Sequence, residues 1–112
     1  MKVHESKFME ASIYSLGMEL GLKPSQVNAA YTLYHQVRKN SHFSNRRTDK
    51  CLLIDCIFLM TRNQHNTKVS IKDVEKATMR IFGEKTRPNP NKWASSVPHL
   101  IDNAFHQVSN CM

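Results

Sequence analysis

The sequence has little that would favour a β-sheet, a membrane span or a secreted scaffold. It contains three glycines and four prolines in 112 residues and almost no alternation of apolar and polar residues, so half-buried strands are not expected. Its longest apolar run, 52–60, is interrupted by Asp55 and falls short of the roughly 20 apolar residues of a membrane span. No apolar segment follows the charged N-terminus, so no signal peptide is expected.

Disulfide bonds are not indicated either. Cys51, Cys56 and Cys111 are odd in number and show no paired spacing, and the first two lie in one apolar segment, where both fit a core. A reducing compartment is the natural interpretation, nuclear or otherwise intracellular. A length of 112 residues, 40% of them hydrophobic, predicts a single domain over 1–112 with a real core and no membrane association.

Helical periodicity dominates what is present. Apolar residues recur every three or four positions over 6–20, 24–40 and 70–82, and each of these segments is predicted to form an amphipathic helix. Residues of the types that begin or end helices mark at least one end of each segment. These boundary residues are Gly21, Pro24, Ser70 with Asp73 as a capping box, and Gly83.

A further helix, the third in chain order, is predicted after an N-cap at Thr48 or Asp49, and it is apolar on almost every side. Such a helix has to be surrounded by others, and at about 15 residues it is too short to cross a bilayer. It is therefore expected at the centre of a bundle. Asp55 within it needs either an ion pair or an edge position facing solvent. Arg47 and Arg62 bracket the helix, either as structural partners or as phosphate contacts.

The C-terminal part combines an irregular stretch with one more helix. Residues 84–91 contain two prolines and are not expected to be helical. The last helix is predicted to start near Ser95 or Ser96, with Pro98 in its first turn and Trp93 packing just outside it. Together the segments predict an all-α protein of five helices.

The charge balance favours a polyanionic partner. Sixteen Lys and Arg against nine Asp and Glu give a formal charge of +7, and nucleic acid is the usual partner of such a chain. A solvated basic surface that binds no nucleic acid is the alternative. The cations form three clusters: Arg38, Lys39, Arg46, Arg47 and Lys50; Lys68, Lys72 and Lys76; and Lys85, Arg87 and Lys92.

Four short motifs occur in order along the chain: LGLKPSQVNAAYTLY at 20–34, Arg-Arg at 46–47, CIFLMTR at 56–62 and VSIKDV at 69–74. Together they resemble a core repeat of transcription factor IIB. Residues 20–34, LGLKPSQVNAAYTLY, are similar to that family's Leu-Gly-Leu-Pro turn and Val-x-x-Ala-x-x-Leu/Ile-Tyr helix. Residues 46–47, Arg-Arg, correspond to its Gly-Arg pair. Residues 56–62, CIFLMTR, resemble its Cys-Leu-Tyr-x-x-Cys-Arg helix end, and 69–74, VSIKDV, its Thr-Leu-x-Glu-Ile helix start.

The resemblance covers about 16–77 and implies a five-helix, cyclin-like bundle around a central buried helix. Some features differ from the family pattern. Arg46 replaces a glycine, 82–91 is longer and richer in proline than the usual turn, and neither a second repeat nor a zinc ribbon is found. The chain is accordingly interpreted as a fragment or as a divergent relative with one repeat.

The function implied by the resemblance is that of a non-catalytic transcription-initiation module. Such a module binds double-stranded DNA and a TATA-binding-protein-like or RNA polymerase partner, and its last two helices meet DNA as a helix-turn-helix-like unit. The residues implied in phosphate binding are Arg46, Arg47, Lys68, Lys72, Lys85, Arg87 and Lys92. The alternative is a protein-only adaptor of the same fold, such as a kinase-activating cyclin or an origin-recognition-type subunit.

Catalytic and metal-binding motifs are not found. The sequence contains no G-x-S-x-G, no phosphate-binding glycine loop and no H-E-x-x-H. His99 and His106 share a helix face, but no C-x-x-C pair accompanies them. Cys51 would be a nucleophile only beside a base, and a core role is expected instead. Neither enzymatic activity nor a metal or cofactor is expected.

Overall fold

Five α-helices make up most of the residues that the structure describes. The structure, a computed structural model, describes the backbone of residues 2–39, 48–62 and 69–110. Within these ranges it describes the side chains of residues 11 to 108. The helices are α1 (Lys2–Glu19), α2 (Pro24–Lys39), α3 (Asp49–Thr61), α4 (Ile71–Phe82) and α5 (Pro98–Asn110). They share one hydrophobic core, and the described ranges contain no strand. The prediction of an all-α bundle is confirmed. None of the described helices has the length and apolar character needed to cross a membrane.

The predicted central helix is confirmed by its burial. Residues 52–61 of α3 are all buried except Leu59, which is partly exposed. Thr48 is the N-cap, and its hydroxyl accepts a hydrogen bond from the Cys51 amide at 3.2 Å. Helix α3 packs against α1, α2 and the short 3₁₀ turn Pro90–Lys92, while α2 also packs against α5. The apolar surface on all sides of α3 is thus covered, as such a helix requires.

Helices α1 and α2 approach each other closely where α1 carries a glycine. A Cβ atom built on Gly17 would lie 2.3 Å from Cγ2 of Val27, well inside the 3.5–4.0 Å of an ordinary carbon contact.

The two ends of α1 differ in how well the sequence marks them. Gly21, just after the helix, has a φ of 84°, which a residue without a side chain adopts most easily. The helix itself begins at Lys2, earlier than the predicted Ser6, because apolar spacing does not mark where a first turn starts.

Helix α4 begins and ends as its boundary residues predict. The Ser70 hydroxyl accepts from the Asp73 amide at 3.1 Å, and Asp73 Oδ2 accepts from the Ser70 amide at 2.9 Å, which completes the capping box. Gly83 takes a left-handed φ of 73° at the other end. Hydrogen bonding of the Asp73 carboxyl by the Ser70 amide, and next by the Ser70 hydroxyl, lowers its pKa below the usual 3.8, with a smaller contribution from the nearby Lys76 charge.

The capping box is therefore expected to make stability depend on acid pH. A carboxyl with a lowered pKa in the folded protein stabilises it above the unfolded pKa, and this contribution is lost as pH falls through the folded pKa. The melting temperatures of the wild type and of Asp73→Asn should differ most near neutral pH. The difference should shrink as pH falls below about 3.8. A difference that stays constant down to acid unfolding would contradict the capping role of the carboxylate.

The connector between α4 and α5, residues 83–97, is not α-helical but is held firmly in place. It contains two short 3₁₀ turns, Pro90–Lys92 and Ala94–Ser96. Helix α5 starts at Pro98 rather than at the predicted Ser95 or Ser96. The reason is steric: a residue before proline is disfavoured in the helical region, and Val97 has a φ of −135° and a ψ of 50°.

Asp55 attaches the connector to the central helix. Its side chain is fully buried, so the predicted alternative of an edge position facing solvent is wrong. Oδ1 accepts from the Asn89 amide at 2.8 Å, and Oδ2 accepts from the Trp93 indole N–H at 3.0 Å. Trp93 is itself only 1% exposed.

The two arginines that bracket α3 in the sequence have different outcomes. Arg62 places its guanidinium over the Phe58 ring, 4.4 Å from the centroid. Arg47 lies outside the described residues.

Candidate nucleic-acid interface

One face of α4 carries a row of exposed cations. Lys72, Lys76 and Arg80 are four residues apart and all exposed, whereas Val74 and Ala77 on the other side are buried. At 1.5 Å per residue, the row extends for about 12 Å along the helix. The arrangement follows from the sequence, because the capping box fixes the start of the helix and the apolar residues fix which face is buried.

The connector adds two further cations beside this helix. Between 85 and 90, Thr86, Pro88 and Pro90 are buried, whereas Lys85 and Arg87 are exposed. Alternate residues of an extended chain point in opposite directions, so burial of one set directs the other outward. The connector thus displays Lys85 and Arg87 on the surface of the protein.

Hydrogen bonds and an ion pair fix the connector to its neighbours. Lys50 Nζ lies 2.7 Å from Glu84 Oε2, and this ion pair lowers the pKa of the exposed Glu84 carboxyl. The Thr86 amide donates to the Thr78 hydroxyl of α4 at 3.0 Å. With the two contacts at Asp55, the connector is attached to both α3 and α4.

A shallow groove lies between the connector and α4. Its lining comes from both segments, and its volume is about 380 Å³. Lys85 of the connector lines it together with Lys76 and Arg80 of α4, beside Glu75 and Met79. The structure therefore places described members of two of the three cation clusters on neighbouring segments, and we call this region the α4–connector surface. It is defined by Lys72, Lys76, Arg80, Lys85 and Arg87.

The predicted phosphate-binding residues divide into two groups. Lys72, Lys85, Arg87 and Lys92 are all exposed, the last of them in the first 3₁₀ turn of the connector. Arg46, Arg47 and Lys68 lie outside the described residues. The predicted set left out two members of the surface, Lys76 and Arg80. The four-residue spacing from Lys72 is the signal that could have identified both.

One cation of this surface, Arg80, and two cations elsewhere are held in ion pairs. Arg80 Nε lies 2.8 Å from Glu19 Oε2 of α1, with 70% of the arginine side chain still exposed. Arg38 pairs with Asp49 and also lies over the Tyr34 ring. With Lys50 paired to Glu84, two members of the first cluster link elements of the fold. Exposed pairs of this kind contribute little to stability, but they fix where the charges lie.

The last two helices are not arranged as a helix-turn-helix. Helix α4 packs against α1, whereas α5 packs against α2. Residues 83–97 separate α4 from α5, whereas the turn of a helix-turn-helix has about 3–4 residues. Helices α4 and α5 therefore do not present a recognition helix on a short turn.

The buried thiol of Cys56 offers little reactive chemistry. Burial, followed by the negative charge of Asp55, raises the pKa of the Cys56 thiol well above its usual value, so it stays protonated at neutral pH and is a poor nucleophile. Cys51 is partly exposed in the first turn of α3. Within the described ranges, no three His, Cys, Asp or Glu side chains are grouped so as to hold a metal ion.

No protein-family model, curated protein or solved structure matches this chain. The functional proposal therefore depends on the geometry of the α4–connector surface and on the motifs of the sequence.

Proposed function

We propose that this chain is a non-catalytic module of transcription initiation, of the transcription factor IIB-like cyclin type, that binds double-stranded DNA. Its further partner in this proposal is a TATA-binding-protein-like protein or an RNA polymerase, and its place of action is the nucleus. The observation that carries the DNA-binding part is the α4–connector surface, where cations from two segments of the chain lie together.

The dimensions of this surface suit a DNA backbone. Phosphates of one strand follow one another every 3.4 Å along the helix axis, so the row of about 12 Å on α4 can face roughly three or four of them. The exposed amines of Lys72 and Lys85 supply charge without fixed geometry. Contacts of this type give affinity and position but read no sequence. We therefore propose binding with weak preference for sequence at this surface.

Salt-dependent duplex binding tests the proposal. Fluorescence anisotropy with a labelled duplex, from about 50 to 200 mM salt, gives the slope of log affinity against log salt. Replacing Lys72 and Lys85 together with glutamine should reduce that slope by about 0.9 for each phosphate that the variant no longer neutralises. We expect about tenfold weaker binding at the low-salt end, since two charge-assisted contacts are removed.

A matched variant controls for net charge. Lys23, just before α2, and Lys39, its last residue, are both exposed. Their joint replacement with glutamine removes the same amount of charge away from the α4–connector surface. This control should retain both the slope and most of the affinity. Absence of duplex binding at low salt, or an equal loss of affinity in the control, would contradict the proposed surface.

A protein-only adaptor of the same fold, such as a kinase-activating cyclin or an origin-recognition-type subunit, remains the second candidate. One observation favours it: Met79 is 55% exposed within the basic surface, and a phosphate backbone gains nothing from an apolar side chain. A stable protein complex that survives nuclease treatment, together with no duplex binding at low salt, would favour this candidate over the first.

A further inference from the structure

The apolar floor of the groove between α4 and the connector is a single hydrophobic residue, Met79. The other residues of the lining, Glu75, Lys76, Arg80 and Lys85, are charged. Among the described side chains, Met79 and Met18 are the two large hydrophobic residues that are strongly exposed, at 55% and 70%. Methionine is common at protein-binding surfaces because its flexible side chain adapts its shape to different partners.

The rim of the groove is positively charged. Lys76, Arg80 and Lys85 line it together with one carboxylate, Glu75, which leaves an excess of two positive charges. Arg80 shares its charge with Glu19 outside the groove. Among the residues that the structure describes, neither Lys76 nor Lys85 takes part in an ion pair. The rim therefore offers two amines to an acidic ligand.

We infer that this groove binds an acidic amphipathic helix of a partner protein. One apolar side chain of the helix covers Met79, and flanking carboxylates meet Lys76 and Lys85. Charge alone would suit a phosphate backbone equally well, but only an apolar ligand gains from burying the methionine. The pattern is that of helix-in-groove recognition, where an apolar stripe enters a groove and charges at the edge set the partner.

This inference does not depend on DNA binding. The two ligands nevertheless use overlapping cations, because Lys76, Arg80 and Lys85 belong both to the rim and to the α4–connector surface. If the protein binds duplex DNA as proposed, an acidic helix in the groove should compete with it. Such competition would give a partner protein control over DNA binding.

Two synthetic peptides of identical composition test the inference. Each has about 18 residues, above the roughly 12–15 that an isolated helix needs, and contains leucine and glutamate with a fluorescent label. One carries leucines at i, i+3, i+4 and i+7, and the other is scrambled so that no apolar stripe forms. The patterned peptide should bind at least about tenfold more tightly, as expected when an apolar anchor is buried.

Two methionine variants locate the binding site. Met79→Gln should weaken binding of the patterned peptide by about tenfold, because it removes the apolar floor and leaves every charge in place. Met18→Gln makes the same change at the other exposed methionine, outside the groove lining, and should leave the affinity unchanged. Since both side chains are exposed, circular dichroism and the melting temperature should match those of the wild type.

The possible outcomes separate this inference from the proposed function. Equal binding of the two peptides, or an unchanged affinity in Met79→Gln, would overturn it and leave the groove as a basic surface for nucleic acid. The same holds if Met18→Gln weakens binding as much as Met79→Gln. Patterned-peptide binding that depends on Met79 supports the groove even if the duplex fails to bind, a result that would remove only the DNA-binding proposal.

Discussion

Replacing Asp55 with asparagine is expected to lower the free energy of unfolding by about 3 kcal/mol. The carboxylate of Asp55 is fully buried and accepts from two N–H donors, one on Asn89 and one on Trp93. An amide of the same shape has one oxygen, so its NH₂ group must face one of these donors. The change replaces a charge-assisted hydrogen bond, worth about 1.5–3 kcal/mol, with a buried unpaired donor, which costs about 1–3 kcal/mol.

This loss is large for a domain whose whole stability is about 5–15 kcal/mol. Urea denaturation of Asp55→Asn measures it directly, provided that the dependence on denaturant is unchanged. Asp102→Asn makes the same chemical change at an exposed position of α5 and should stay within about 0.5 kcal/mol of the wild type. A cost below about 1 kcal/mol for Asp55→Asn would contradict the role of its two hydrogen bonds.

A double-mutant cycle assigns part of the loss to the indole contact. Trp93→Phe removes the indole N–H that donates to Asp55 and also leaves some empty space in the core. If the hydrogen bond is as described, Asp55→Asn should cost less in the Trp93→Phe background than in the wild type, by about 1 kcal/mol or more. Additive effects would show that the two side chains do not depend on each other.

Substitution of Gly17 with alanine is expected to lower the free energy of unfolding by about 2 kcal/mol. At an open position inside a helix, the same change would stabilise the protein by about 1 kcal/mol. Here the new Cβ would lie 2.3 Å from Cγ2 of Val27. Val27 is fully buried, and a β-branched side chain in a helix has one strongly preferred rotamer. Separation of α1 from α2 is therefore required, and overpacking of this kind typically costs about 1–3 kcal/mol.

A second substitution should partly reverse this loss. Val27→Ala removes the methyl group that the new side chain would meet, so Gly17→Ala should cost at least about 1 kcal/mol less in that background. Ser15→Ala, at an exposed position of the same helix, controls for helix propensity and should be neutral or slightly stabilising. Stabilisation by Gly17→Ala alone would show that the two helices can separate at little cost.

The contacts at Asp55 link the core of the protein to its surface. The connector they hold in place carries Lys85 and Arg87 on its outer side, and Thr86 fixes the same segment to α4. A buried carboxylate thus helps to hold exposed cations in position. The position of these cations depends on the packing of α3 as well as on their own segment.

Local signals predicted the helices whose ends are marked by residues of special geometry. The capping box at Ser70 and the left-handed glycine at Gly83 place α4 correctly, because both act within one turn of the chain. The burial of α3 was also predictable, since a helix without a polar face has to be covered. The predicted starts of α1 and α5 were less accurate, because neither helix has a side-chain cap that the sequence reveals.

By itself, the sequence determined the all-α class, the central position of α3 and the basic character of the chain, since periodicity, capping and composition are properties of neighbouring residues. Only the tertiary structure decided what Asp55 binds and which cations lie together. Asn89 and Trp93 follow Asp55 by 34 and 38 residues, and Lys85 of the connector lines the same groove as Lys76 of α4. Contacts between distant segments depend on how the helices pack, and no local pattern encodes that packing.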